Sequence, residues 1–99
     1  MFQPRSSPFA DNVYHAAFDL GTGLADAAFA DASASPFRTL PEWSLLSARA
    51  GVLAEDLFPA GANDEVRRLV VSLARCGARI RWQRLAPSFA AAASSRGLA

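Results

Sequence analysis

The chain has 99 residues, enough for one domain, and its 24 leucine, isoleucine, valine and phenylalanine residues put it above the roughly 20% level associated with disorder. A single cysteine rules out an intramolecular disulfide and fits a reducing, cytoplasmic setting; no run of about 18 apolar residues is there to span a membrane, and Met1–Phe9 lacks the apolar stretch of a signal peptide. The net charge of +1 hides an asymmetry, because residues 1–65 hold all nine acids with three arginines while residues 66–99 hold seven arginines and no acid.

Residues 1–10, with Pro4 and Pro8, read as an irregular arm whose Phe2 and Phe9 tuck onto the domain or meet a partner. Asp11 suits the cap of a first helix over about residues 11–32. His15, Asp19, Thr22 and Asp26 form one polar stripe along it, and almost everything else round it is apolar or small, the pattern of a helix covered on most sides. Ala17, Gly21, Ala25 and Ala28 fall close to one line, a face that lets a second helix approach closely. Gly21-Thr22-Gly23 is also where this helix would divide, if it divides.

Residues 31–38 have the composition of a linker. Thr39-Leu40-Pro41-Glu42 matches a capping box and opens a second helix over about residues 40–58, with Trp43, Leu46, Leu53 and Leu57 facing inward. Pro59-Ala60-Gly61-Ala62 turns the chain. Asn63 then caps a third helix over about residues 63–76, with Asp64 and Glu65 at the positive end of its dipole. Val66, Leu69, Val70, Leu73 and Ile80 recur at helical spacing with Cys76 at their edge, while Arg68, Arg75 and Arg79, flanked by Arg67, gather opposite. Gly77 reads as the residue that ends this helix. From Arg79 to Leu85 the chain begins by alternating polar and apolar residues, which predicts an extended or short-strand segment near 78–86, packed through Ile80 and Trp82. A continued helix would carry Arg84 into the apolar face. Residues 87–99 read as a flexible tail. The expected fold class is all-α, a small bundle of three main helices forming one domain over residues 11–86.

Little in the chain points to chemistry. There is one histidine, no zinc-ligand set, no nucleophile–base pair, and neither of the glycine-rich frames that cradle phosphates, so no enzyme, metal or cofactor is expected. His15 and Asp19, one turn apart, read as a solvated polar pair. The expectation is a non-catalytic interaction protein: an accessory subunit, adaptor or regulator that docks on a protein partner or on itself, most simply through the first helix. Interfaces favour tryptophan, phenylalanine and arginine as anchors, which singles out Phe2, Trp43, Arg68, Arg75, Arg79, Arg81, Trp82 and Arg84 as partner-binding candidates.

Nucleic acid ranks second. Leu46-Ser47-Ala48-Arg49-Ala50-Gly51-Val52 resembles the centre of the helix-turn-helix in bacterial repressors of the TetR class. The resemblance implies a turn at Gly51, a following recognition helix that buries Leu57, and a DNA-binding regulator. Glu55 and Asp56 in that helix would repel phosphate. A different nucleic-acid surface would stack Trp82 on a base with Arg79, Arg81 and Arg84 along the phosphates.

Overall fold

The computed structural model describes the backbone of residues 8–37 and 39–98 and the side chains of residues 13–37 and 39–91. Three helices form in the order α1 (Pro8–Ala34), α2 (Trp43–Ala54) and α3 (Asp64–Leu98), with one 3-10 turn, Glu55–Leu57, between the last two. They pack up–down–up, α1 parallel to α3 and α2 antiparallel to both, in a body 62 × 27 × 17 Å across. The all-α bundle is the fold class expected, and no strand is found among the described residues.

The start of α3 follows its sequence. Gly61 takes a positive φ of 78°, which reverses the chain after Pro59, and the Val66 amide donates to the Asn63 Oδ1 at 2.9 Å. The start of α2 does not: Glu42 is the N-cap and no side chain bonds the helix end there, so the Thr39–Glu42 capping box is absent.

The third helix does not stop at Gly77, nor do residues 78–86 extend; α3 runs on through them and through Pro87 to Leu98. Ala78, Trp82, Leu85 and Phe89 share a helical face that packs inward, a period that small Ala78 conceals in the sequence. Phe89 is buried with its ring edge-on to Phe29 at 5.6 Å, which fastens α3 to α1 beyond the proline. Arg84 remains exposed, because the face it shares with Val66, Leu73 and Ile80 is itself only partly covered.

Gly77 serves close approach instead of a cap. A Cβ built there would sit 2.3 Å from the Phe18 carbonyl oxygen, and one built at Gly21 would sit 1.9 Å from that of Ala74. The small line on α1 therefore meets its counterpart inside the same chain. Ala17, Gly21 and Ala25 lie against Val70, Ala74, Gly77 and Ala78, and α1 passes unbroken through Gly21-Thr22-Gly23. Val70 is the largest fully buried side chain among the described residues. Since each buried methyl contributes only about 0.8 kcal/mol, this pair depends on backbones fitting together more than on apolar bulk. Leu46, Ala50 and Ala54 of α2 complete the core.

Candidate docking groove

The two tryptophans anchor α2 to α3. Their rings stand 6.2 Å apart, tilted, and the Trp82 Nε1–H donates to the Pro41 carbonyl at 2.9 Å. Trp43 and Trp82, both expected to meet a partner, thus meet each other. Further along, the Arg75 Nε–H donates to the Ser47 carbonyl at 3.2 Å, with its guanidinium lying over Gly51, where a Cβ would come within 2.7 Å of Nη2.

Two shallow depressions that meet at Arg75 form a groove along this side of α3, one beside Phe58 and the other beside α2. One end, about 450 Å³, is lined by Phe58, Arg67, Arg68, Val71, Ser72 and Arg75, with Asp64 at the lip. The next stretch, about 380 Å³, is lined by Trp43, Ser47, Arg75, Cys76 and Arg79. Arg75 is common to both. Arg67 stacks over Phe58 at 5.9 Å and lies 4.0 Å from Asp64. Arg68, Arg75 and Arg79 follow one edge of α3 at i, i+7 and i+11, about 16 Å end to end, with no carboxylate partner among the described residues.

Nothing similar anchors these residues to a known protein: no family model, curated protein or solved structure matches the chain.

The remaining candidates divide. Arg81 is drawn inward to Asp26 of α1, at 3.6 Å, and Arg84 is exposed away from the groove. Phe2 lies outside the described residues. His15 and Asp19 form an exposed contact at 3.8 Å, and among the described residues no three His, Cys, Asp or Glu side chains gather where they could hold a metal ion. No helix among the described residues is long and apolar enough to cross a membrane. The turn implied by the repressor resemblance is absent: α2 passes straight through Gly51 and is followed only by the 3-10 turn.

Sequence reasoning found the arginine edge and missed Arg67, Phe58 and Ser72 as parts of the groove. Their spacing from Arg75 was available; that α2 would lie alongside was not. Two apolar faces also stay outside the core. On α2 these are Leu45 and Val52, seven residues apart, and on α3 they are Leu69 and Ile80. No large apolar side chain of α1 is comparably exposed among the described residues.

Proposed function

We propose that this protein is a non-catalytic interaction module that receives an acidic segment of a partner protein in the groove between α2 and α3. One observation carries the reading: Arg68, Arg75 and Arg79 stand along one groove wall and none of them is ion-paired among the described residues, Asp64 at the lip being paired with Arg67. Among the described residues the acidic stretch 1–65 meets the arginines of residues 66–99 in two ion pairs, Asp26–Arg81 across α1 and α3 and Asp64–Arg67 within α3. Phe58 and Trp43 supply apolar contact near the two ends, the combination of aromatic and arginine that interfaces favour.

A protein segment is preferred to nucleic acid because Trp82 is committed to Trp43 and Pro41, and so is a poor stacking platform for bases. The test is fluorescence anisotropy with two labelled probes, a glutamate-rich peptide containing an aromatic residue and a DNA duplex of matched charge. The peptide is expected to bind the more tightly at physiological salt. Arg68→Ala combined with Arg79→Ala should weaken it about tenfold, equivalent to about 1.4 kcal/mol. Tighter binding of the duplex, or indifference to the double substitution, would overturn the reading.

A further inference from the structure

A second apolar rhythm runs along α3, separate from the face that α1 covers. Val66, Leu69, Leu73, Cys76 and Ile80 succeed one another at spacings of three, four, three and four, the a/d pattern of a helix seam. Leu69 and Ile80 are 44% and 47% exposed, Cys76 is exposed, and Val66 and Leu73 are half-buried. On the helical wheel this seam lies about 100° round α3 from the residues under α1, on the side turned away from α2. Val66 and Leu73 lean onto the core along one border, and no described element covers Leu69, Cys76 and Ile80.

The charges beside the seam select its occupant. Glu65, Ser72 and Arg79 flank it at seven-residue intervals, all exposed, and neither Glu65 nor Arg79 has an ion-pair partner among the described residues. A two-fold axis through the middle of this row is self-complementary, setting Glu65 opposite the partner subunit's Arg79 at both ends. Moved half a residue towards Leu73, the axis sets Leu69 directly opposite the partner subunit's Cys76 and leaves the Glu65–Arg79 and Leu73–Leu73 pairs each one position from exact register. A parallel arrangement would carry the two rows to opposite flanks of the seam, where Glu65 and Arg79 do not meet.

From this we infer that the occupant is a second copy of this chain, docked antiparallel through α3 about an axis near Ser72. The interface is isologous, as closed dimers require. Because α1 stands about a quarter turn from the seam, the α1 and α3 helices of both copies take the corners of a four-helix bundle, with each α2 outside. The inference goes beyond the acidic-segment reading and shares Ser72, Cys76 and Arg79 with the groove. Arg68 and Arg75 have no part in the seam, and the assays below use no acidic probe.

The single cysteine makes the register measurable. In the antiparallel dimer the two Cys76 residues are seven positions apart along the seam, about 10 Å, beyond the roughly 7 Å that a disulfide spans. Leu69→Cys, keeping Cys76, brings each new thiol against the partner subunit's Cys76; within one helix the two positions are too far apart to bridge. Under mild oxidation of the full chain, Leu69→Cys is expected to form covalent dimer on a non-reducing gel far faster than the unaltered chain. Sedimentation equilibrium should give a dimer with a dissociation constant on the order of micromolar. Glu65→Arg and Arg79→Glu should each weaken it at least about fivefold, and the two together should restore it to within about twofold. Circular dichroism checks that these surface substitutions leave the helices intact. A chain still monomeric at about 200 µM would overturn the inference. So would covalent dimer in the unaltered chain matching that of Leu69→Cys, or a charge-swapped double variant no better than the single ones.

Discussion

Helix α3 meets its two neighbours in opposite ways. Against α1 it presents backbone: Gly77 lies under the Phe18 carbonyl, and Gly21 faces the Ala74 carbonyl and the Ala78 amide. Against α2 it presents long side chains, Trp82 reaching the Pro41 carbonyl and Arg75 reaching that of Ser47. The first contact has no slack, since a peptide group cannot step aside without moving its helix. The second can adjust by rotating torsions. A domain with few large buried side chains thus gains rigidity on one side from close approach and keeps an adaptable, charged groove on the other.

The contrast can be broken at its tight side with one methyl group. Gly77→Ala and Gly21→Ala must each push α1 away from α3, and each is expected to lower stability by about 3 kcal/mol, the upper part of the range for overpacked cores. Urea denaturation measures it; a loss below about 0.5 kcal/mol would mean that the crossing is looser than described. On the α2 side, Trp82→Phe keeps a ring against Trp43 but removes the donor to Pro41. A loss of about 1 kcal/mol is expected from the same measurement. The smallest effects should come from the glycines outside the crossing. At Gly23 nothing lies within 4 Å of an added Cβ, so Gly23→Ala should raise stability by about 0.5–1 kcal/mol through helix propensity. Gly51→Ala meets only the end of the Arg75 side chain and should stay within about 0.5 kcal/mol of the unaltered chain. If Gly51→Ala proved as harmful as Gly77→Ala, the distinction between the two sides would vanish.

Several features were legible because they are local. The Asn63 cap depends on one side chain and an amide three residues on, and it forms. The small line Ala17–Gly21–Ala25 is spelled out at four-residue spacing, and it marks a real close contact. The extended reading of residues 78–86 failed for a specific reason. A glycine under another helix and a glycine past a helix end look the same in one dimension, and only the position of Phe18 distinguishes them. The Thr39–Glu42 box failed differently: matching letters did not form the bonds, and the Trp43–Trp82–Pro41 cluster holds the beginning of α2 in place.

The partner-binding candidates divide along the same line. Residue type and spacing put Arg68, Arg75 and Arg79 on one edge of a helix, and they are there. Whether an arginine faces a carboxylate or water depends on what the neighbouring helix brings opposite it. That separates Arg81, held by Asp26, from Arg68 and Arg79.

From the order of its residues alone, this chain was bound to make amphipathic helices, because helical periods and caps act over three or four positions. Which side of each helix is covered was decided by the tertiary structure. α1 and α3 approach until their backbones touch, α2 is left on one flank, and Leu69, Cys76 and Ile80 remain in solvent on the other. Burial is a property of pairs of surfaces, and the second surface of each pair lies tens of residues away along the chain.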